Sequence, residues 1–448
     1  MDGRGEVAPD VVSAPHERRR TIPAGEVRAR WAWTERNIWT DRMLTALENG
    51  VGGGKWFSLI DKVAAPENLF AAYVTVAEHK GAAGVDHLTV EDFGKGLTER
   101  LDRLETTLRD GRYRPQEVRR VWIPKPGSRE ERPLGIPTVR DRVVQTALLH
   151  VLEPIFEREF AEHSYGFRPH RGCKDALRRV DTLLKRGYRY VVDADLRSYF
   201  DTIPQARLRS RVAERVSDGR VLDLVDLFLQ QGVLDGLAHW RPTTGTPQGA
   251  VISPLLSNIY LNPLDHAMAG QGYEMVRYAD DFVVLCRTEA EAEAALERVR
   301  QWVETNGLSL HPEKTRIADA EGVGFAFLGY HFRAGQRWPR KKSQDKLKDV
   351  LREKTRRTDG RSLPAIIVDI NRTLRGWYAY FKHAHRYTFG ALDSWLRMRL
   401  RSLLRKRAGR RGRGRGWDHV RYPNAYFRDA GLFSLKEAWL SDRQSSRR

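Results

Sequence analysis

The sequence predicts an α+β protein: a small antiparallel sheet backed by helices, then an all-α unit, then a short basic module. Three observations point there. Short apolar runs at 188–196 (YRYVVDADL) and 273–286 (YEMVRYADDFVVLC) have strand character. The stretches between them carry helical spacing and helix-start signals. Past residue 340, Ile366, Ile370, Leu374, Trp377 and Phe381 recur every three or four positions, the stripe of an amphipathic helix.

In chain order, residues 1–26 are polar, without period, and read as a disordered leader. Helical stretches follow from Arg28 to Gly50 and from Ser58 to Lys80, separated by Gly52-Gly53-Gly54. After a turn over 81–90, Val90 opens another helix. Residues 119–124 (RRVWIP) and 133–137 (PLGIP) are extended pieces around the turn Lys125-Pro126-Gly127. Helices are expected over 141–160, 173–186, most of 204–230, and from Ser253, an N-cap followed by Pro at the first helical position, to about Ala267. Residues 273–286 form two strands around a tight turn at Ala279-Asp280. A charged helix covers 289–305 and another strand 325–333. Three helices follow, over 343–357, 366–381 and 392–404, then a basic linker at 408–416 (AGRRGRGRG) and a final module over 417–440. There is no internal repeat.

Composition narrows the function. The 448 residues are 41% hydrophobic and 30% charged, enough apolar material for a core. No apolar run approaches the ~20 residues of a membrane span. No apolar segment follows Arg18-Arg19-Arg20, so neither a secretory signal nor a membrane partner is expected, and a cytoplasmic location is. Two distant cysteines, Cys173 and Cys286, exclude a disulfide framework and a four-cysteine zinc module. The net charge of +20 is lopsided: 31 basic and 10 acidic side chains lie from Arg337 to Arg448, leaving residues 1–336 nearly neutral. Aromatics such as Trp395, Trp417 and Tyr422 interleave with those charges, a pattern suited to nucleic acid. Arg397, Arg399, Arg401 and Arg405 on the third of these helices, and Arg410, Arg411, Arg413 and Arg415 in the linker, are the expected phosphate contacts. The bland alternative for the linker is a flexible, soluble tether.

The tetrapeptide Tyr278-Ala279-Asp280-Asp281 places two carboxylates at the tip of an apolar hairpin. An Asp-rich turn is common, but burying two adjacent charges is costly without a cation. Asp195 ends a strand on whose face Val191 and Asp193 also lie. One Asp on a strand beside two on a hairpin suits a polymerase palm holding two Mg²⁺ ions ~3.5–4 Å apart. Asp195, Asp280 and Asp281 are the expected catalytic and metal-binding residues. Asp193 is the rival ligand.

The full set of motifs resembles the bacterial group II intron-encoded reverse transcriptases, or maturases. The blocks that carry the resemblance are 81–93 (GAAGVDHLTVEDF), 132–145 (RPLGIPTVRDRVVQ), 163–171 (HSYGFRPHR), 191–203 (VVDADLRSYFDTI), 244–258 (TGTPQGAVISPLLSN), 277–284 (RYADDFVV), 306–316 (NGLSLHPEKTR) and 327–330 (FLGY). Residues 374–382 (LRGWYAYFK) resemble that family's maturase-specific thumb, and 422–435 (YPNAYFRDAGLFSL) its C-terminal DNA-binding module. The resemblance implies a right-hand polymerase: fingers and palm over 27–335, an all-α thumb over 340–408 and a basic DNA-binding module over 409–448.

It also implies roles by position. Lys125 and Arg132 match residues gripping the triphosphate of the dNTP. Phe200 matches the aromatic gate against a ribose 2′-hydroxyl, with core packing as the alternative. Gln248 matches a residue touching nucleotide and template, and Lys314 a lysine near the palm. For Arg132 the alternative is a salt bridge to Glu130 or Glu131. The implied function is RNA-directed DNA polymerisation with two Mg²⁺ ions, coupled to binding and splicing of an intron RNA and to copying it into a DNA target during retrohoming. The implied setting is a bacterial, nucleoid-associated one. With no cysteine after Cys286, the subclass without an endonuclease module is expected. A maturase with an inert polymerase, or a domesticated relative in phage defence, CRISPR spacer capture or DNA repair, stays open, as does the oligomeric state.

Overall fold

A computed structural model of the protein describes residues 24–124, 131–412, 414 and 416–445. The first part is helical: α1 (Ala24–Arg30), α2 (Asp41–Asn49), α3 (Ile60–Val63), α4 (Pro66–Glu78), α5 (Val90–Gly94) and α6 (Leu97–Arg109). Then come β1 (Val118–Pro124), β2 (Glu131–Ile136), α7 (Val139–Glu157), α8 (Cys173–Lys185) and β3 (Tyr190–Asp195). They are followed by α9 (Tyr199–Thr202), α10 (Gln205–Ala213), α11 (Gly219–Leu229), β4 (Val233–Asp235) and β5 (Ala238–Trp240). Next are α12 (Ser253–Gly270), β6 (Glu274–Tyr278), β7 (Asp281–Cys286), α13 (Glu289–Thr305), β8 (Arg316–Asp319), β9 (Phe325–Phe327), β10 (Tyr330–Arg333) and β11 (Gln336–Pro339). The chain ends in α14 (Lys341–Lys354), α15 (Leu363–Phe381), α16 (Tyr387–Arg407), α17 (Trp417–Arg421), α18 (Asn424–Asp429) and α19 (Leu435–Ser445).

Local chemistry sets many of these starts. The side chains of Thr89, Thr138, Asp218, Thr288 and Ser362 accept hydrogen bonds from backbone N–H groups in the first turns of α5, α7, α11, α13 and α15. Pro66 breaks the stretch from Ser58 to Lys80 into α3 and α4 by occupying the first position of the second helix.

The central sheet has the order β6-β7-β3-β8, all neighbours antiparallel. It is apolar on both faces, so its strands read as near-continuous apolar runs. Val192, Ala194, Phe282, Val284 and Cys286 join the first core, with the N-terminal helices, α7, α12 and α13. Val191, Val276, Val283, Leu285 and Ala318 join the second core, with α8, β9, β10 and α14 to α16. The three-stranded sheet β9-β10-β11 shares this second core with the helices that follow it. Tyr330 packs its ring 5.0 Å from that of Phe381, and Phe427 and Leu435 of the final module belong to the same cluster. The chain past residue 340 is therefore continuous in packing with the sheet before it.

Several expectations are corrected. The stretch 28–50 is two helices joined by turns over 31–40, and Ala24 to Glu26, assigned to the leader, already lie in α1. Residues 325–333 are not one strand but the hairpin β9–β10, turning at Leu328-Gly329, both with positive φ. The helix α6, the hairpin β4–β5, and the edge strands β8 and β11 were not anticipated.

Candidate active site

The β3–β7 ladder sets Asp193 against Val283 and ends with Asp195 directly opposite Asp281. Side chains alternate along a strand, so Asp193, Asp195 and Asp281 share the face of the second core, at its open end. Asp280 lies in the two-residue turn between Tyr278 and Asp281.

That turn is held from beneath. Ala279 has φ +58°, a left-handed conformation that costs a non-glycine residue energy unless its surroundings fix it. Arg277, 0% exposed, donates to the Ala279 carbonyl at 2.9 Å and to Asn258 Oδ1 at 2.9 Å. Its remaining donors engage Asp265 at 2.5–3.0 Å. Asn258 in turn donates to the Gly166 carbonyl at 2.8 Å. Gly166 is required there, because a Cβ would lie 2.3 Å from the Ala279 nitrogen. The 163–166 segment also pairs with the Arg277 backbone, Tyr165 N–H donating to its carbonyl at 2.8 Å. The blocks HSYGF, SN and RYADD are thus one structural unit.

The carboxylates are held in unfavourable surroundings. Asp281 is pushed up to about 7, first by burial and then by the charges of Asp193, Asp280 and Asp195. Burial also raises Asp280, with Arg132 and Arg277 opposing. Asp193 is pushed up to about 6 by burial, against the pull of Arg316, whose Nε lies 3.7 Å away. Asp195 takes a salt bridge from Lys314 at 2.7 Å, and its carbonyl accepts from His311 N–H at 2.7 Å. Among the described residues no three His, Cys, Asp or Glu side chains converge into a ready-made metal cage. The donor set nevertheless fits Mg²⁺, which takes few protein carboxylates and completes its shell with water and phosphate oxygens. A group of acids raised by their mutual repulsion is one that an added cation relieves.

A cavity of about 400 Å³ is lined by Phe200, Asp201 and Gln248 together with residues of the β1–β2–β4–β5 sheet, among them Arg120, Gly135 and Trp240. Phe200, on α9, packs against the first core and also lines this cavity. Gln248 Nε2 donates to both oxygens of Asp201 at 3.1 Å, and its carbonyl accepts from Gly135 N–H at 2.6 Å. Gly249, at φ +102°, permits this contact, since a Cβ would sit 2.2 Å from the Gly135 carbonyl oxygen. Arg132 stands on β2 opposite Ile123 and makes no ion pair with Glu131. Lys125 lies outside the described residues, as does Glu130.

The predicted basic face of α16 is largely used inside the protein. Arg401 is 3% exposed and donates to the Tyr422 carbonyl and Asn424 Oδ1, each at 2.8 Å. Arg405 pairs with buried Asp418 at 2.8 Å. Arg399 donates to Thr355 Oγ1 at 2.8 Å and packs over Trp395. These three are corrected from phosphate contacts to internal ties: spacing of four puts Arg401 and Arg405 on the helix face that the 414–427 segment covers. Arg410 and Arg411 are exposed, Arg397 is half-buried beside Ser394, and Arg413 and Arg415 lie outside the described residues. Gly414, in the expected linker, is packed, its N–H donating to Ser402 Oγ at 3.0 Å. The sequence reading missed Arg277, Asp265 and Asn258. A lone Arg inside an apolar strand pair was the available signal.

No helix among the described residues is long and apolar enough to cross a membrane. Residues 123–332 match the family described as reverse transcriptase (RNA-dependent DNA polymerase), and residues 344–422 match the group II intron maturase-specific domain. Protein YkfC of Escherichia coli K12 is 36% identical over 314 residues, 61% of this chain and 82% of that protein. The group II intron-encoded protein LtrA of Lactococcus lactis is 37% identical over 202 residues, 45% of this chain but 33% of the relative. Among solved structures, a partial Cas6-RT-Cas1–Cas2 complex is 23% identical with a TM-score of 0.36, covering 55% of this chain and 41% of that one. A Candida albicans telomerase is 12% identical with a TM-score of 0.41, covering 74% and 66%. With both domain types in sequence order and a relative matched over most of its length, the chain belongs to the group II intron-encoded reverse transcriptase and maturase family.

Proposed function

We propose that the chain is an RNA-directed DNA polymerase that binds a group II intron RNA, assists its splicing and copies it into DNA at a target site. Fingers and palm would occupy 27–335, the thumb 340–408 and a DNA-binding module 409–448. The observation that carries the polymerase reading is the Asp195–Asp281 cross-strand pair with Asp280 in the adjoining turn. Asp195, Asp280 and Asp281 would hold two Mg²⁺ ions. When bound, the ions supply the Lewis acidity that activates a primer 3′-hydroxyl and the charge that balances a triphosphate. Arg132, whose charge reaches Asp280, and Lys125 would grip the phosphates. Phe200 would close the space a ribose 2′-hydroxyl needs, and Gln248, braced by Asp201 and Gly135, would touch the nascent pair. Lys314, seated on Asp195, would turn to the nucleotide once a cation takes over that carboxylate. Intron RNA and target DNA would lie along exposed arginines such as Arg410 and Arg411, and along half-buried Arg397.

The test is primer extension on an RNA template with deoxynucleotides. Extension should require a divalent cation. Phe200→Ala should raise ribonucleotide incorporation relative to deoxynucleotide. A preparation that binds intron RNA yet extends no primer at any Mg²⁺ concentration would overturn the polymerase reading. An unchanged sugar ratio with lower total activity would make Phe200 a core residue.

A further inference from the structure

The β1–β2–β4–β5 sheet turns one face to the cavity. Register places Arg120 opposite Gly135, Trp122 opposite Pro133 and Val233 opposite Trp240, so Arg120, Trp122 and Trp240 are on that face. The Arg120 guanidinium lies 4.7 Å from the Trp240 ring centroid and 5.7 Å from that of Trp122. Trp122 is fixed in turn by donating its Nε1–H to Asp235 at 3.2 Å. Both indoles stay open to solvent, at 45% for Trp122 and 38% for Trp240. Large aromatics on one face of a small sheet gain little by such exposure unless something covers them.

The electrostatics select the ligand. No carboxylate among the described residues pairs with Arg120, and Arg241 follows Trp240 directly. A guanidinium with no carboxylate partner among the described residues, stacked on an indole, is a surface for an anion that also carries a flat ring. Nucleotides are that class. The cavity is lined by Phe200, Gln248, Trp240 and Arg241 among others, and none of Asp195, Asp280 and Asp281 lines it. A nucleotide held on Trp240 therefore sits in a space that the three aspartates do not line. The cavity volume, about 400 Å³, suits one small ligand and not a duplex.

We propose that Trp240, backed by Arg120 and Trp122, is the stacking platform for the first unpaired template nucleotide, in the cavity that the carboxylates do not line. The proposal rests on the polymerase reading above for the direction of the strand. Base–aromatic stacking tolerates any base, so the platform would hold the strand without reading its sequence. The β4–β5 hairpin is the element that carries Trp240, which gives that hairpin a role in template handling.

The experiment measures binding and extension in the same samples of full-length chain. Fluorescein-labelled primer–template duplexes of one length carry a template 5′ overhang of none, one or five nucleotides, or one abasic site at the first overhang position. For the wild type, a one-nucleotide overhang should tighten binding about ten-fold, the worth of one stacked base. The abasic overhang should lose most of that gain. In Trp240→Ala the ratio of overhang to blunt affinity should fall toward one, and in Arg120→Gln it should fall part of the way. An overhang gain that is the same in Trp240→Ala and wild type, or unaffected by the abasic site, would overturn the platform. The abasic arm uses no variant, so it decides even if a substitution disturbs folding. Loss of the platform with wild-type extension intact leaves the polymerase reading standing. Overhang-dependent binding lost in Trp240→Ala, without extension by the wild type, would keep the platform and overturn the polymerase reading. A wild type that neither binds the duplexes nor extends them would overturn both.

Discussion

The carboxylate end of the central sheet and the basic face of α16 were both marked by charge in the sequence, and they differ in how the fold answers that charge. At the sheet, Asp281 and Asp280 lie together, half-buried, with burial and mutual repulsion raising both. Lys314 on Asp195, with Arg132, Arg277 and Arg340 farther off, offset them only in part. On α16, Arg401 and Arg405 find a carbonyl, an amide oxygen and a carboxylate within the chain. A guanidinium has five donors and a long stem, so the protein readily consumes it as a structural tie. Clustered carboxylates have no such escape, because they only accept. Unanswered charge, rather than charge as such, is what marks a site.

The comparison breaks most visibly if the support of the hairpin is not what places Asp280 and Asp281. Removing one partner of a buried ion pair leaves the other uncompensated, at a cost of ~3–5 kcal/mol. Asp265→Ala should therefore lower stability by about that amount in denaturant unfolding and reduce primer extension strongly, by freeing Arg277 from its hold on Ala279. Asn258→Ala, which removes one bond to Arg277 and one to Gly166, should cost less, ~1–2 kcal/mol, and should weaken the apparent Mg²⁺ dependence. Extension with wild-type Mg²⁺ dependence in a folded Asn258→Ala variant would separate the clamp from the site.

The two classes of arginine sharpen the same contrast. Arg401→Gln should lower stability by ~1–3 kcal/mol, since the Tyr422 carbonyl and Asn424 lose their donor. The double change Arg410→Gln and Arg411→Gln should leave the unfolding midpoint in place. It should instead reduce nucleic-acid affinity and flatten the salt dependence by ~0.7–0.9 log units for each phosphate no longer neutralised. The reverse pattern, an intact Arg401→Gln fold with a flattened salt slope, would return the interface to α16.

Glu153 is the control for burial alone. Burial first, and then Glu157, pushes it up to about 7 from an ordinary 4.5. The folded state thus holds this proton more tightly than the unfolded one. Stability is lost as pH rises from about 4.5 toward about 7, and the loss is complete above that range. Glu153→Gln should gain ~1–2 kcal/mol over wild type at pH 8 and nothing at pH 4, with primer extension preserved. A loss of extension in a stable Glu153→Gln variant would show that the catalytic constellation is wider than the three aspartates.

Much of this organisation is legible in the sequence because it rests on local patterns. The strands around Asp195 and the hairpin around Ala279-Asp280 follow from two-residue alternation, and α13 from its capped, charged repeat. What was not legible depends on distant partners or on very short elements. The Asp235-Gly236 pair is a hairpin signal, but three-residue strands on either side give no period to read. The tip of β9–β10 uses Leu328 at φ +45°, a residue that does not announce a turn. Arg401 reads as a surface charge on its helix, and only the return of the chain at Tyr422 and Asn424 buries it. The triad residues are visible in the sequence. The buried clamp beneath them, assembled from segments near 166, 258 and 277, is a tertiary fact.

The central claim, that the carboxylate cluster is the cation site of a polymerase, is tested most directly by primer extension with Asp280→Asn at saturating template and Mg²⁺. The amide keeps the side-chain shape and cannot balance a dication, so the rate should fall by ~10³-fold or more, equivalent to ~4 kcal/mol of barrier. The unfolding midpoint without divalent metal should stay level or rise, because one buried repelling charge is gone, and intron RNA affinity should be retained. Extension by folded Asp280→Asn at near the wild-type rate would contradict the claim.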